Sequence, residues 1–133
     1  MQMKLELVPI PVADLDRAKA FYETTLGFHV DHDTSINEDA IHLIQLTPPG
    51  SACSILLSRG LPGVDMSAGS LRALHLVVKE VSAAREFLVS RNVECGPIAD
   101  HGGGVKSFGI SDPDGNSWVI QEMEWRSPEF NSP

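Results

Sequence analysis

Two ionisable residues stand where a binding or catalytic site could form. His75 lies inside the apolar run LRALHLVV, and Glu122 lies near the end of the segment FGISDPDGNSWVIQEM. An imidazole in an apolar wall can hydrogen-bond a ligand or act as an acid or base, and it can equally be a core histidine bonded to the protein itself. A carboxylate at a strand end can bind a metal, pair with a base or face solvent. The sequence therefore makes His75 the candidate catalytic residue, with the core interpretation left open.

The other histidines have weaker patterns. His29, His32 and His42 alternate with acids in FHVDHDTSINEDAIH, a mixture that could chelate a metal but is more typical of a solvated loop. His101 precedes Gly102–Gly104, and this glycine-rich stretch could be a flap over a cavity. Neither pattern predicts a specific reaction. No nucleophile elbow, P-loop or dinucleotide-binding glycine pattern occurs in the chain.

Composition excludes several classes of partner. The 133 residues are 42% hydrophobic and 21% charged, as in an ordinary globular domain, and the net charge of -8 argues against nucleic acid and anionic membranes. The N-terminal apolar run is broken at Glu6, Pro9 and Pro11, so it predicts no signal peptide or membrane span. Cys53 and Cys95 have no CxxC spacing, which favours a reducing compartment. We therefore expect a cytoplasmic protein.

The elements that would position these residues come in two copies. VADLDRAKAFYETTLGF, from Val12, matches VKEVSAAREFLVSRNVE, from Val78, without a gap. Each copy predicts a strand end and then a helix, with Asp14 or Glu80 near the helix N-terminus as a capping acid. The positions predicted to be buried at helical spacing are Leu15, Ala18, Phe21 and Tyr22 in the first copy, and Val81, Ala84, Phe87 and Leu88 in the second.

Two hairpins repeat in the same way. LIQLTPPGSACSILLS matches FGISDPDGNSWVIQEM, with turn glycines Gly50 and Gly115. Each half thus has the order strand, helix and three strands, the second strand being expected at residues 30–33 and 94–99. We expect one domain over 1–133, and its parts are a first module at about 3–58, a linker at 59–70, a second module at 71–124 and an exposed or mobile polar tail at 125–133.

Paired modules with V-x-D-L-D-R-A-x-x-F-Y-x-x-x-L-G-F in the first and D-P-D-G-N near the end of the second resemble the vicinal oxygen chelate superfamily over residues 3–124. That superfamily includes glyoxalase I, extradiol dioxygenases, and the fosfomycin and bleomycin resistance proteins. The resemblance implies an α+β fold in which two βαβββ modules form a curved mixed sheet, an incomplete barrel around a ligand cavity, often completed in a homodimer. It does not fix the chemistry.

The resemblance also implies where a metal would bind. Metal-dependent members commonly have a ligand seven residues before the Asp of V-x-D and another four residues after each turn glycine. Those positions hold Leu7 and Ser54 in the first module and Ala73 and Val119 in the second. Because Leu, Ser, Ala and Val do not build a divalent-metal site, we expect neither the usual metal nor another cofactor.

Strand alternation predicts the wall of a small-molecule cavity. The side chains expected on it are Leu7, Pro9, Ser54, Leu56, Ala73, His75, Val77 and Gln121. Glu122 and Trp118 should face the other way, Trp118 beneath a helix. A bulge could still turn Glu122 inward.

Three hypotheses follow. The first is a metal-independent protein that binds a small organic molecule in a homodimer, by sequestration or with slow acid–base chemistry at His75. The second is a metal-dependent lyase or dioxygenase with relocated ligands such as His75 and Glu122. The third is a non-catalytic dimeric scaffold whose cavity is filled by its own side chains.

Overall fold

The computed structural model describes residues 1–130. The chain divides into two compact units that are each discontinuous in sequence. Unit 1 comprises Met1–Leu71 together with Asp112–Asn116, and unit 2 comprises Arg72–Ser111 and the residues from Ser117 onward. The short segment at 112–116 thus belongs to unit 1 by its contacts.

Unit 1 is built on a four-stranded mixed sheet. Its strands are β1 (Leu7–Pro9), β2 (His29–Ile36), β3 (Ile41–Thr47) and β4 (Ser54–Arg59), in the order β1-β4-β3-β2. β1 runs parallel to β4, and the other pairs are antiparallel. β2 lies at an edge of the sheet, and all of its residues but Val30 are exposed.

One helix covers one face of this sheet. α1 (Leu15–Ala20) begins at Asp14, whose Oδ1 accepts a hydrogen bond from the Arg17 amide at 3.1 Å, so the predicted capping acid is confirmed. A π-helical segment (Phe21–Thr25) extends it. Nζ of Lys19 on α1 donates to Asp33 on β2, so the side chain of Asp33 lies on the helix-covered face of the sheet. Ile44, the Cα partner of Asp33 on β3, lies on the same face. The most buried hydrophobic side chains of the unit are Ile10, Ala18, Tyr22, Ile44, Leu46 and Leu57.

The DPDGN segment is a hydrogen-bonded turn. Oδ1 of Asp112 accepts from the amides of Asp114 and Asn116 at 2.9 Å each, which closes the turn. Oδ2 of Asp112 accepts from the Tyr22 hydroxyl at 2.7 Å and from Nδ2 of Asn116 at 2.8 Å. All four acceptor positions of this carboxylate are therefore used inside the protein. The motif that marks the family resemblance is structural in unit 1.

Asn116 completes the same network. It is fully buried, donates from Nδ2 to the Pro11 carbonyl at 2.9 Å, and accepts at Oδ1 from the Leu71 amide at 3.1 Å. The nearby Gly69 donates its amide to the Pro11 carbonyl at 3.0 Å. The end of the expected linker, 59–70, is thus fixed within unit 1, although residues 60–73 contain no helix or strand.

Unit 2 repeats the topology of unit 1. Its elements are β5 (Leu74–Val77), α2 (Val81–Ser90), β6 (Ala99–Gly102), β7 (Val105–Ser111) and β8 (Ser117–Met123), with the strand order β5-β8-β7-β6. β5 runs parallel to β8, and the other pairs are antiparallel. The predicted fold class, α+β with two βαβββ modules, is confirmed, and neither sheet closes into a barrel.

The N-terminus of α2 is capped by a residue that the sequence did not indicate. Glu80 occupies the N-cap position but makes no side-chain capping bond. Oε1 of Glu122 on β8 instead accepts from the Val81 amide at 2.9 Å. Negative charge at a helix N-terminus is also favoured by the helix dipole. Glu122 therefore supports the fold from the neighbouring strand.

The helix pattern is right at three of its four positions. Val81 and Leu88 are buried and Ala84 is half-buried, but Phe87 is 44% exposed. Its ring lies under the guanidinium of Arg91, 4.2 Å from the ring centroid. A cation over the ring stabilises this aromatic side chain at the surface, which helical spacing alone does not reveal.

One predicted loop and one predicted strand need correction. His29, His32 and His42 lie on β2 and β3 and not in a solvated loop. The strand expected at 94–99 begins only at Ala99, because Arg85 donates to the carbonyls of Cys95 and Gly96 and fixes that segment as irregular backbone.

The glycine cluster forms a turn. Gly102–Gly104 link β6 to β7, and φ values of 79°, 63° and 82° explain why glycine occupies all three positions. The predicted flap is thus, in its backbone, the turn of the hairpin formed by β6 and β7. Nε2 of His101 lies 2.7 Å from the Ser107 hydroxyl on the adjacent strand.

The expected tail is largely ordered. Residues Glu124–Glu129 form a 3-10 helix with an ion pair of 2.8 Å between Arg126 and Glu129. Trp125 is 63% exposed, and Pro128 and Glu129 are exposed as well, so this segment lies at the surface. Residues 131–133 lie outside the described part. No helix within residues 1–130 has the length and apolarity that crossing a bilayer requires.

Candidate functional site

The face of the unit 1 sheet opposite α1, here called the open face of unit 1, gathers four predicted site residues. Leu7 is the Cα partner of Ser54, and Pro9 is the partner of Leu56. Gln45 on β3 lies opposite Leu56. Ser54 and Leu56 are only 6% and 8% exposed, so this part of the face is largely sheltered. Leu7, Pro9 and Leu56 are its apolar side chains, and Ser54 is its buried hydroxyl.

Ser54 belongs to a chain of polar side chains that the sequence analysis missed. Its Oγ lies 2.6 Å from Oγ1 of Thr47, and Thr47 donates to Oδ2 of Asp31. Nδ1 of His29 donates to Oδ1 of the same carboxylate at 2.9 Å. The hydrogen bonds from Thr47 and then His29 hold the pKa of Asp31 below its ordinary value, so Asp31 is ionised at neutral pH.

A β-bulge brings Asp31 into this chain. The pairing of β2 with β3 shifts between Val30 and His32, and Asp31 is the extra residue. A bulge redirects side chains locally, and no residue pattern in this stretch marks its position. Strict alternation counted back from Asp33 would therefore place Asp31 on the helix-covered face, whereas its bond to Thr47 lies on the open face.

The open face of unit 2 is the sheet face that holds His75. His75 is the Cα partner of Val119, and Val77 is the partner of Gln121. Trp118 and Ile120, at 3% exposure each, belong to the opposite, buried face, as predicted for Trp118. Gln121 is half-buried and lies opposite Ser107 on β7.

Ala73 is not the structural equivalent of Leu7, although counting seven residues back from Glu80 predicted that it would be. It precedes β5 and has a φ of 60°, so it is outside the strand. In unit 1 the residue four beyond the turn glycine, Ser54, pairs with Leu7, whereas in unit 2 the equivalent Val119 pairs with His75. Three residues (78–80) separate β5 from α2, compared with five (10–14) between β1 and α1. The shorter connection shifts the equivalent of Leu7 to His75.

His75 is exposed, so the core-histidine interpretation is wrong. Its Nδ1 lies 2.6 Å from the Ala73 carbonyl oxygen. Because a carbonyl only accepts, Nδ1 carries the proton and donates. Nε2 has no hydrogen-bond partner among residues 1–130 and is available to a ligand.

The residues present do not fit the superfamily's metal. The four positions defined by strand pairing hold Leu7, Ser54, His75 and Val119, which together supply one imidazole and one hydroxyl. Glu122 lies on the α2 side of β8, opposite to His75, so the two proposed relocated ligands do not form one metal site. Residues 1–130 contain no group of three or more His, Cys, Asp or Glu side chains placed to bind a metal.

A separate cleft of about 750 Å³ lies at the α1 end of unit 1. It is lined by Val12, Asp14, Leu15, His42, Ser58 and Arg59, among others. No sequence pattern marks this cleft, because its lining residues come from segments that are far apart in the sequence.

An ion-pair network lies beside this cleft. Asp33 accepts from Nζ of Lys19 at 2.7 Å and from Nε2 of His42 at 2.5 Å. These bonds, that from Lys19 first, lower the pKa of Asp33, and the bond to Asp33 raises the pKa of Lys19. The three side chains connect α1, β2 and β3.

Comparison with known proteins agrees with this architecture. The sequence model described as the Glyoxalase/Bleomycin resistance protein/Dioxygenase superfamily matches residues 4–120. No curated protein sequence matches the chain significantly.

Solved structures match over most of the chain. One is TnmS3, an antibiotic binding protein from Streptomyces sp. CB03234, with 30% identity and a TM-score of 0.81, covering 92% of this chain and 97% of that one. A glyoxalase/bleomycin resistance protein from the same organism has 32% identity and a TM-score of 0.73, covering 90% and 99%. A superfamily member from Sphaerobacter thermophilus DSM 20745 has 26% identity and a TM-score of 0.77, covering 91% and 98%.

Proposed function

Because the chain belongs to the glyoxalase/bleomycin resistance protein/dioxygenase superfamily, we infer that it binds a small, largely apolar organic molecule on the open face of unit 1. The binding is by sequestration and does not use the superfamily's usual metal. Leu7, Pro9 and Leu56 form the apolar contact surface, and Ser54 is the polar point that orients the molecule.

The composition of this face carries the proposal. Binding sites for small molecules are mostly apolar, with a few fixed polar groups, and the part of the open face formed by Leu7, Pro9, Ser54 and Leu56 has that composition. A relative of 30% identity over 92% of the chain is described as an antibiotic binding protein, which makes antibiotics the first class of ligand to test.

The donor set supports a metal-free mode of binding. Leu7 and Val119 offer no ligating atom, and the Ser54 hydroxyl is bonded to Thr47. One imidazole, that of His75, does not hold a divalent ion in competition with water.

Titration calorimetry with bleomycin and a set of apolar aromatic antibiotics tests this function. At least one compound should bind, with a negative heat-capacity change from burial of apolar surface. Leu56→Asp should abolish that binding, and Val89→Asp, at an exposed position on α2, is the matched control for charge. Binding that survives Leu56→Asp in a folded protein would contradict the proposed site.

Elemental analysis of the untagged protein tests the metal-free mode independently. We expect no stoichiometric zinc, nickel, iron or manganese. One bound ion per chain would instead support a metal-dependent lyase or dioxygenase.

The free Nε2 of His75 favours acid–base chemistry as a second candidate function. With Nδ1 donating to Ala73, the neutral imidazole presents Nε2 as a base on the open face of unit 2. Once a substrate is known, His75→Gln should abolish turnover and leave the melting temperature unchanged. Unchanged turnover would remove His75 as a catalytic candidate.

A further inference from the structure

We propose that Asp31, acting through Thr47, fixes Ser54 as a hydrogen-bond acceptor, so that the open face of unit 1 selects molecules that present an N–H or O–H donor. This inference rests on the proposed function and specifies the chemistry of its ligand. It concerns a polar chain that runs across three neighbouring strands, β2, β3 and β4.

The number of protons available shows which group donates in each hydrogen bond of the series Ser54–Thr47–Asp31. An ionised carboxylate has no proton, so the single hydroxyl proton of Thr47 goes to Asp31. The Thr47 oxygen then has only lone pairs to offer its other neighbour. The contact of 2.6 Å with Ser54 therefore uses the proton of Ser54. Ser54 is left with lone pairs alone.

The charge on Asp31 makes this direction stable. Reversing the chain would require a proton on Asp31, and the hydrogen bonds from Thr47 and His29 oppose that protonation. Hydrogen bonds in series also polarise one another, which increases the negative charge on the last oxygen. The Ser54 oxygen is thus a better acceptor than an isolated hydroxyl.

The surroundings make the selection effective. Ser54 is 6% exposed, and its strand neighbours Leu7 and Leu56 are apolar, so water competes poorly for its oxygen. A phenol, amine or amide N–H directed at this oxygen forms a hydrogen bond. An ether, carbonyl or carboxylate oxygen at the same place has no proton to donate. It is repelled by the lone pairs of the Ser54 oxygen, and it loses its own hydration.

A pair of probes that differ by one proton tests this selection. 2-Naphthol and 2-methoxynaphthalene share an apolar aromatic body, and only the naphthol can donate. Amide chemical-shift titrations of the wild-type protein should show naphthol binding about tenfold more tightly, the equivalent of one hydrogen bond. Equal affinities would overturn the inference and leave the proposed function standing, whereas no shift with either probe at millimolar concentration would overturn both.

Variants then locate the origin of the preference. Ser54→Ala should equalise the two probes. Thr47→Val keeps the shape of the side chain but removes the acceptor of the Ser54 proton, which Ser54 can then donate to a ligand. The variant should therefore bind 2-methoxynaphthalene more tightly than wild type does, and its preference for 2-naphthol should be smaller. Thr34→Val, at an exposed position on β2, is the matched control and should retain the full preference. If Thr47→Val retained the full preference for 2-naphthol, the preference would come from Ser54 alone, and the proposed role of Asp31 would be overturned.

A measurement without ligand tests the chain itself. In an NMR pH titration, the pKa of Asp31 should rise toward its ordinary value in Thr47→Val, because the largest stabilising hydrogen bond is lost. The same titration in Thr34→Val should match the wild type. An Asp31 that titrates identically in wild type and Thr47→Val would refute the proton direction.

Discussion

The hydroxyl of Tyr22 donates to Oδ2 of Asp112 at 2.7 Å, although the two residues are 90 positions apart in the sequence. Both side chains are buried, Tyr22 completely and Asp112 to 5% exposure. The bond connects the helical segment that begins at Leu15 with the turn at 112–116. A buried charged acceptor makes this one of the stronger hydrogen bonds of unit 1.

Tyr22→Phe should therefore destabilise the protein by about 1.5 to 3 kcal/mol, the range for a hydrogen bond to a charged group. Urea denaturation measures the change. In an Asp112→Asn background the same substitution should cost less, because the charge is gone. Equal costs in both backgrounds would show that the ring environment, and not the bond, is responsible.

Gly69 lies where no side chain fits. Its φ is 78°, and a Cβ there would lie 2.0 Å from the Asp114 carbonyl oxygen. Gly69→Ala should cost about 3 kcal/mol or more, from positive φ and steric overlap together. Gly63, with φ of 87° and nothing within 4 Å of its Cβ, is the control, and Gly63→Ala should cost about 1 kcal/mol. Thermal denaturation of both variants separates the two contributions, and similar losses would contradict the steric argument.

Asp33 should give a stability contribution that depends on pH. Its pKa is lowered in the folded protein, so the contribution is complete above the ordinary carboxyl range and disappears as the pH falls through the lowered folded value. Asp33→Asn should cost about 0.5 to 1 kcal/mol at pH 7, as expected for partly exposed ion pairs. The difference between wild type and variant should shrink below about pH 4. A difference of constant size between pH 7 and pH 3 would exclude this electrostatic origin.

The pH dependence of stability at alkaline pH follows from Lys19, the ion-pair partner of Asp33. Its pKa is raised, so its contribution is complete below the ordinary lysine value and disappears as the pH rises through the folded value. Chemical denaturation of wild type and Asp33→Asn at pH 7 and above pH 11 should therefore show converging stabilities at the higher pH.

Glu122 should behave as a helix cap. Glu122→Ala removes the acceptor of the Val81 amide and should cost about 0.5 to 2 kcal/mol, the usual range for loss of a cap. Glu122→Gln keeps an acceptor oxygen and should recover most of that stability. Both variants are compared by urea denaturation. If Gln were as damaging as Ala, the charge and not the hydrogen bond would be the stabilising feature.

We expect a homodimer in solution. Each sheet has edge strands without a partner in its own unit, and β2 exposes almost its full length. Light scattering at micromolar concentration should give about twice the chain mass of 14.4 kDa. A mass of one chain across that range would contradict this expectation.

Sequence periodicity was sufficient for the elements that have clear patterns. The apolar spacing of Leu15, Ala18 and Tyr22 predicted α1, and the turn glycines Gly50 and Gly115 predicted both hairpins. These features depend on local physics, namely burial at helical spacing and positive φ in a turn. They also define the repeat from which the fold class followed.

The missed features depend on local irregularities that no pattern marks. The bulge at Asp31 and the shorter connection before α2 each shift one strand against its expected numbering. The first concealed the chain from Asp31 to Ser54, and the second moved the equivalent of Leu7 from Ala73 to His75. Hydrogen bonds between distant segments, such as that of Glu122 with Val81, also have no sequence signature.

The turn at 112–116 limits how this chain can be cut. A fragment that ends at Leu71 would contain every strand and helix of unit 1 but would lack the partners of the Tyr22 hydroxyl, the Pro11 carbonyl and the Leu71 amide. Buried polar groups without partners are costly, so the first half should not fold when expressed alone. Co-expression of residues 1–71 with residues 72–133 would restore those partners in trans.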